Sequence, residues 1–492
     1  MVAWLCGTVL AFAFLLGGGT HTGFLGDVFV QLLSIPLLAV SLWSAFDSTK
    51  SGGHKRGSIL FFGCAVVLLI AVQLFPLPFE LPPIRGVLTA KALDLTSNSW
   101  SSLSQSPQAT WAAGVSLIVP AAIFIATAQL ELHQRLSLTW LLLGLGGLAL
   151  VLGFFQMAQG PSGSLRFYDV TNASEAVGFF ANRNHFAAGL YVTLVLGALW
   201  YISTARQLLQ TAEATSRSVL WLTTAALFLV CVVAGLAMAR SRAGVILAMA
   251  ALIGIVLMVL RERNDGEDSK LRSRITVGRM SIMTVLFAAI FAAQFGLGSI
   301  MSRFEGDQLE ELRVPLARTT LETALQSLPF GVGLGSFVPV YATVEKDKDI
   351  LGSYANRAHN DLAEIFLETG VFGLLLLLAF FLWFFPKAWK VWLKPDGGKQ
   401  SVQVRLQRAA TLIIMLLLAH SLVDYPLRTT ALASLFAFFC AILATEAPGP
   451  QAGSIQPARQ RAAPRKPELQ GMPGEKWGAD LQWPESWQRR VE

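Results

Sequence analysis

The residues best suited to chemistry form four polar clusters, each beside a long apolar stretch. The first cluster, within GFFANRNHFAAG, places Asn182, Arg183, Asn184 and His185 consecutively at the start of such a stretch. Four adjacent polar side chains at this boundary need water, lipid headgroups or a bound partner. An asparagine here could equally cap the helix that follows. The cluster therefore leaves substrate binding and helix capping both open.

The second cluster consists of Arg240, Ser241 and Arg242, in a short turn between two apolar stretches. Arginine at membrane depth is costly and is usually paired or functional. Its planar guanidinium group can bind phosphate oxygens through two parallel hydrogen bonds. Snorkelling to lipid headgroups is the alternative. We favour phosphate binding, for Arg242 more than for Arg240.

The third cluster lies in a long segment between apolar stretches. Arg313 and Arg318 are spaced along an expected amphipathic helix, and Gly331, Gly333 and Gly335 follow it. The glycines permit a tight backbone turn. They do not form a dinucleotide-binding fingerprint, because no strand precedes them and their spacing differs. We therefore expect the glycines to shape the loop.

The fourth cluster, within RAHNDLAEIFLETGVFG, places Arg357 and His359 just before another long apolar stretch. Asp361 and Glu364 resemble a capping box, which predicts that they start a helix. Capping does not require Arg357 or His359. A histidine beside arginines at the edge of a membrane cavity suits a general base, and a buried structural histidine is the alternative.

Two further groups of residues have simpler explanations. Asp424 and Arg428 are four residues apart, and we expect them to pair with each other. The four cysteines each lie alone in an apolar stretch, which favours helix packing over a disulfide or a metal site. They are Cys6, Cys64, Cys231 and Cys440. The outer-face carboxylates also lack metal-ligand spacing, so neither a metal ion nor another cofactor is expected.

The elements that must position these clusters are membrane-spanning helices. The chain has 492 residues, of which 54% are hydrophobic and only 14% charged, whereas soluble domains carry about 25% charged residues. Most apolar stretches are long enough to cross the hydrocarbon core as helices. The predicted fold is an all-α, polytopic membrane bundle of about twelve helices. The predicted spans are 3–18, 24–46, 57–75, 110–130, 137–157, 184–203, 218–238, 243–260, 277–299, 365–386, 409–423 and 429–446.

Lysine and arginine recur in every second loop, which predicts that those loops and both termini are cytoplasmic. They also account for the net charge of +7 without a nucleic-acid partner. We predict that the chain has three parts. Residues 1–109 contain the first helices and the outer loop 76–109, and residues 110–446 form the main membrane region. Residues 447–492 form a disordered cytoplasmic tail. The outer loop 300–364 is long enough to be expected to contain helices of its own.

Taken together, the clusters resemble the O-antigen ligase and O-antigen polymerase superfamily over about residues 110–446. The resemblance rests on FFANRNHFA, SRAG, PFGVGLGSF, AHNDLAEIFLETGVFG and VDYPLR, in that order. It implies an all-helical bundle with a periplasmic helical hairpin in the bacterial inner membrane. It also implies transfer of a glycan from an undecaprenyl-diphosphate carrier to an acceptor sugar, without a nucleotide sugar or a metal ion.

The resemblance implies that His359 is the catalytic residue and that arginines hold the carrier diphosphate. The predicted diphosphate-binding and substrate-binding residues are Arg242, Arg313, Arg318, Arg357, Asn182 and Arg183. Arginines can stabilise the charge left on the diphosphate without a metal ion. His359 would accept the proton of the acceptor hydroxyl. Attack opposite the leaving group would invert the anomeric centre.

The acceptor stays open between a carrier-linked repeat, as for a polymerase, and a lipid A-core glycan, as for a ligase. We lean towards polymerase or exopolysaccharide ligation, because nothing in the sequence marks a lipid A-core acceptor. A flippase for lipid-linked oligosaccharides, or another polysaccharide transporter, is the alternative from a different class. Transporters place their binding residues near the bilayer midplane in internal repeats, whereas these clusters lie at one face and the chain shows no repeat.

Overall fold

The protein is an assembly of helices, without a strand in the part of the chain that the structure describes. The structure, a computed structural model, describes residues 1–21, 23–47, 53–76, 102–211, 216–263, 313–346, 355–393 and 401–445. The helices are α1 (Val2–Leu16), α2 (Leu25–Asp47), α3 (Gly53–Leu74), α4 (Pro107–Ser116), α5 (Ile118–Gln129), α6 (Leu132–Gln159), α7 (Arg183–Thr211), α8 (Ser216–Met238), α9 (Arg242–Arg263), α10 (Arg313–Gln326), α11 (Phe337–Val344), α12 (Asp361–Leu393), α13 (Ser401–His420) and α14 (Thr430–Ala444).

Eight helical segments are long and apolar enough to cross a membrane, so the chain is a multi-pass membrane protein. Three shorter apolar helices, Val2–Leu16, Gly63–Leu74 and Thr430–Ala444, accompany them. Each predicted span except 277–299 falls on one of these helices, and span 110–130 is divided between α4 and α5. Span 277–299 and the tail 447–492 lie outside the described residues. The count of twelve spans therefore stays a prediction.

The core of the bundle is built around α7, which packs against α6, α8, α9 and α13. Small residues allow these helices to approach closely, as is usual between membrane helices. A Cβ atom on Gly146 would lie 2.0 Å from Oγ1 of Thr193 on α7. A Cβ atom on Gly235 would lie 2.3 Å from a methyl carbon of Leu150. Gly146 therefore allows α6 to lie close to α7, and Gly235 allows α8 to lie close to α6.

Several helix ends and their connecting loops meet at one end of the bundle. The backbone N–H of Ala181, just before α7, donates to Gly18 just after α1 (3.0 Å), and the N–H of Ala431 at the start of α14 donates to Gly17 (2.9 Å). The side chain of Thr430 donates to Asp27 at the start of α2 (2.7 Å). We call this end, which carries residues 17–18, 181–185 and 421–431, the polar end.

The predicted outer loop 300–364 contains helices in its described part, as expected, and α10 packs against α12. The three glycines after α10 all have positive φ, at +76°, +109° and +76° for Gly331, Gly333 and Gly335. This conformation favours glycine, and the expected tight turn is confirmed. The turn lies against α12, where the N–H groups of Val332 and Gly333 donate to the carbonyls of Leu367 and Glu368 (both 2.9 Å).

A kink in α12 makes room for this turn. Gly370 interrupts the helix with φ +59° and ψ −143°, and a Cβ atom there would lie 2.1 Å from the carbonyl oxygen of Pro329. The N–H of Val371 donates to the same carbonyl (3.0 Å). The turn after α10 is thus fixed by backbone contacts to the first part of α12, which begins two residues after His359.

Candidate active site

His359 and Asp424 form a hydrogen-bonded pair at the polar end. Nδ1 of His359 lies 3.1 Å from Oδ1 of Asp424. The His359 side chain is 22% exposed, whereas the Asp424 side chain is fully buried. A carboxylate at Nδ1 favours the tautomer with its proton on that nitrogen, which leaves Nε2 as the proton-accepting nitrogen. The imidazole can therefore take a proton from a molecule that reaches this surface.

The backbone at His359 is strained. Its φ is +50°, a left-handed conformation that side chains other than glycine adopt at a cost of about 1–3 kcal/mol. Asn360, the next residue, caps α12 by accepting the N–H of Ala363 (3.0 Å) through its side chain. His359 therefore occupies the sharp bend at which the incoming loop turns into α12.

Asp424 is held as an anion by groups from three parts of the chain. Its Oδ2 accepts a short hydrogen bond from the side chain of Asn184 on α7, and Nη2 of Arg313 on α10 lies 4.0 Å from the same oxygen. Burial acts to raise the pKa of Asp424. The hydrogen bond from His359 and the positive charges of His359 and Arg313 outweigh burial, so the pKa lies well below its usual range.

The ring of Tyr425 lies between two histidines. His359 and His185 each meet it edge-on, with ring centroids 4.9 Å apart. The Tyr425 hydroxyl oxygen accepts from the side chains of Asn356 (3.4 Å) and Asn182 (3.5 Å). Burial and the charge of Asp424 raise the pKa of Tyr425 to about 12, so the phenol stays neutral. Tyr425 therefore acts as a fixed wall that orients the imidazole of His359.

Two arginines of the predicted diphosphate site lie at the polar end. Arg313 donates to the carbonyl of Val423 (3.1 Å), and its side chain is 23% exposed beside His359. Arg242 is the first residue of α9, where Ser241 caps the helix by accepting the N–H of Gly244 (2.9 Å). A Cβ atom on Gly244 would lie 2.5 Å from Cβ of Ala187, two residues beyond His185. Arg242 is thus at the same end of the bundle as His359.

A second, largely buried cluster of charges lies behind His359. Arg357 pairs with Glu364 (2.8 Å). Arg428 pairs with Glu368 (2.9 Å), Asp361 (3.4 Å) and Glu364 (3.6 Å). Since buried charges are stable only when they are paired and hydrogen-bonded, this cluster joins α12 firmly to the loop after α13.

This geometry corrects two interpretations of the sequence. Asp424 and Arg428 do not pair with each other: Asp424 pairs with His359, and Arg428 pairs with carboxylates of α12. A pair four residues apart requires a continuous helix, but Pro426 begins a short 3-10 turn between them. The predicted helix does begin at Asp361, but Asn360 and not Asp361 caps it, and Asp361 and Glu364 are in ion pairs.

The other predicted substrate-binding residues have different surroundings. Asn182 caps α7 by accepting the N–H of Asn184 (2.8 Å) and also contacts Tyr425. Arg183 pairs with Glu175 (3.0 Å) in a buried position, and Arg318 pairs with Glu322 (2.9 Å) on the exposed face of α10. The structure thus joins His359, Arg313 and Asn182 through Asp424 and Tyr425, whereas Arg183, Arg318 and Arg357 are each paired with a carboxylate.

The carboxylates close to His359 are each paired with a cation. Asp424 faces His359 and Arg313, and the three acids of α12 face Arg357 and Arg428. Within the described ranges, no group of three or more histidine, cysteine, aspartate or glutamate side chains could hold a metal ion.

In a comparison with known protein families, residues 226–378 match the family described as O-antigen ligase. The matched segment contains Arg242, Arg313 and His359, whereas Asn184 and Asp424 lie on either side of it. No curated protein matches the chain. The chain is a multi-pass helical membrane protein, and its residues 226–378 are similar to the O-antigen ligase family, which confirms the family resemblance of its sequence.

Proposed function

We propose that this protein transfers an undecaprenyl-diphosphate-linked glycan to an acceptor sugar at the periplasmic face of the inner membrane. The match to the O-antigen ligase family supports a glycosyl-transferring enzyme of surface glycan biosynthesis. The observation that carries the specific chemistry is the His359–Asp424 pair with Arg313 beside it. A base, its orienting carboxylate and a cation for the diphosphate would lie together at one partly exposed site.

The proposed reaction is a single displacement at the anomeric carbon of the donor. The acceptor hydroxyl oxygen forms a bond to that carbon while the bond to the diphosphate oxygen breaks, and the bond electrons leave with undecaprenyl diphosphate. Nε2 of His359 takes the hydroxyl proton, and Asp424 stabilises the resulting imidazolium. Arg313 and Arg242 stabilise the charge that develops on the diphosphate. Attack from the opposite side inverts the anomeric centre.

We propose that the reaction needs neither a metal ion nor another cofactor. The two arginines would supply the positive charge that a metal ion provides in other diphosphate chemistry. The buried carboxylates near His359 already have cationic partners, which is consistent with this assignment. The roles predicted for Arg318, Arg357, Asn182 and Arg183 in substrate binding stay predictions.

The orientation of the proposed site follows from the distribution of lysine and arginine. Reporter fusions near residues 268, 340 and 460 test it. We expect fusions at 268 and 460 to report the cytoplasm and the fusion at 340 to report the periplasm. An active alkaline phosphatase at position 268 would contradict the proposed orientation.

The acceptor is proposed to be a carrier-linked repeat or another glycan, with a lipid A-core as the second possibility. Deletion of the protein followed by glycan analysis separates them. A polymerase deletion leaves single repeats and no chain-length distribution. A ligase deletion leaves complete chains on the lipid carrier. If the intact protein moves carrier-linked glycan across the membrane without forming a glycosidic bond, it is a flippase instead.

The decisive experiment measures donor binding and glycan transfer with the same membrane preparation. We expect His359→Gln, which can form hydrogen bonds but is a poor proton acceptor, to lower the transfer rate by about 10²–10⁴-fold. Donor binding should change little, because the diphosphate contacts the arginines. His133→Gln is the control, because His133 is exposed at the start of α6, away from the polar end of the bundle. Transfer by His359→Gln at the wild-type rate would exclude His359 as the base.

A further inference from the structure

Glu364 contacts the two residues that precede His359. Its Oε1 accepts from the guanidinium of Arg357 (2.8 Å), and its Oε2 accepts from the backbone N–H of Ala358 (3.1 Å). The Glu364 side chain is fully buried. One carboxylate in the first part of α12 therefore fixes two consecutive residues of the incoming loop, and both of its oxygens are used.

These contacts hold the strained bend at His359 from one side. The other side is fixed by the Asn360 cap and by the N–H of Asp361, which donates to the carbonyl of Ser421 (2.8 Å). A left-handed residue other than glycine persists only when its surroundings determine its conformation. Because the imidazole direction depends on that backbone, loss of the Glu364 contacts would let His359 turn away from Asp424.

Arg428 connects Glu364 to the loop that carries Asp424, the partner of His359. It binds Glu364, Glu368 and Asp361, whose spacing of three and four residues places them on one face of a helix. Arg428 also follows Asp424 by four residues in the loop after α13. The loop that supplies Asp424 is thereby joined to the carboxylate that fixes the approach to His359.

We propose that Glu364 is a positioning residue that holds His359 in line with Asp424 and the acceptor, with Arg428 fixing Glu364 in turn. This inference rests on the proposed function, because it assigns His359 as the base. It also gives Arg357 a defined part, which is to present its guanidinium to Glu364. Glu364 acts only through His359 and does not touch the donor or the acceptor.

The test combines Glu364→Gln with His359→Gln. An amide keeps one acceptor oxygen but turns an NH2 group towards either Arg357 or the N–H of Ala358, so one of the two contacts fails. We expect Glu364→Gln to lower kcat by about 10- to 100-fold, since displacement of a catalytic group by about 1 Å has an effect of this size. The KM for the carrier-linked donor should stay unchanged. In the His359→Gln background, Glu364→Gln should cause no further loss.

Two variants act as controls. Glu131→Gln changes an exposed carboxylate beside the start of α6, at the far end of the bundle from His359, and should transfer at the wild-type rate. Glu364→Asp keeps the charge but is too short to reach both donors, and we expect a loss of rate between wild type and Glu364→Gln. Glu364→Asp keeps the proposal testable if the amide variant does not fold.

The outcomes separate this inference from the proposed function. Wild-type kcat in Glu364→Gln or Glu364→Asp overturns the positioning role. So does a further, multiplicative loss when Glu364→Gln or Glu364→Asp is added to His359→Gln, because a residue acting through His359 has no effect without it. In both cases an impaired His359→Gln leaves the proposed function intact. Wild-type transfer by His359→Gln overturns the base assignment and the positioning role together.

Discussion

Replacing Asp424 with asparagine tests the central pair of the site. The substitution keeps the size of the side chain but removes its charge, so the bond between Nδ1 of His359 and Oδ1 (3.1 Å) loses its ionic character. The amide can also present its NH2 group to Nδ1, which would place the imidazole proton on Nε2. That nitrogen could then no longer accept the proton of the acceptor hydroxyl.

The size of the effect follows from the distance and the burial of the pair. At 3.1 Å and an effective dielectric constant of about 20, two unit charges attract each other by about 5 kcal/mol, which is an upper limit for this pair. We therefore expect proton transfer to His359 to be slower in Asp424→Asn, because the imidazolium that forms loses this attraction.

Asp424 can stabilise the imidazolium that forms when His359 accepts the hydroxyl proton only while Asp424 is an anion. The pKa of Asp424 itself lies below its usual range. Asp424 therefore stays ionised in the native protein near neutral pH, and the stability it contributes above its unfolded pKa of about 3.9 is lost only as the pH falls towards its folded pKa.

The assay is the rate of glycan transfer from pH 5 to 9 in membranes that contain equal amounts of folded protein. At neutral pH we expect the transfer rate of Asp424→Asn to be about 10²–10³-fold lower than that of the wild type, which is part of the full contribution of a general base. Asp169→Asn is the matched control, because Asp169 is exposed in the loop before α7. A wild-type rate of transfer by Asp424→Asn across this pH range would refute the role of the pair.

Three further predictions concern the arginines, the kink and metal ions. Lysine keeps the charge of Arg313 or Arg242 but not the planar fork, so Arg→Lys at either position should lower transfer by at least about 10-fold in the same assay. Arg261→Lys, exposed at the other end of α9, should not. Gly370→Ala should lower the free energy of unfolding in detergent by more than about 2 kcal/mol, because φ is +59° and the new Cβ atom meets a backbone oxygen; Gly144→Ala, whose Cβ atom meets open space, should have little effect. Transfer should continue in excess EDTA, and strict dependence on added magnesium or manganese would reject the proposed chemistry.

The helices were predictable from the sequence because long apolar stretches have few alternatives in a membrane. The gathering of the polar clusters was also predictable, since alternating spans bring every second loop to one face. Asn184 and His359, which come from different segments, both contact Asp424 for this reason. Asn182, Asn184 and Asp424 lie outside the segment that matches the family, and they belong to the same site.

The partners of individual charges were not predictable. Asp424 has a nearby arginine in the sequence, but its neighbours in space come from α7, α10 and the loop before α12. Glu364 matches a capping pattern, yet the cap is formed by Asn360. Short-range spacing predicts pairs only within a regular helix. The pairs of this site are made across loops, whose paths depend on the kink at Gly370 and on the turn around Pro426.

The hydrogen bonds that the backbone N–H groups of Ala431 and Ala181 donate to Gly17 and Gly18 affect the order in which the helices assemble. Ribosomes deliver the chain from its amino terminus, so α1 enters the membrane long before α14. The hydrogen bond from Thr430 to Asp27 spans 403 positions, and contacts of such long range form late in folding. Asp424 is synthesised shortly before α14. The pair of His359 and Asp424 therefore cannot form until the loop after α13 has been made, and shorter nascent chains lack this pair.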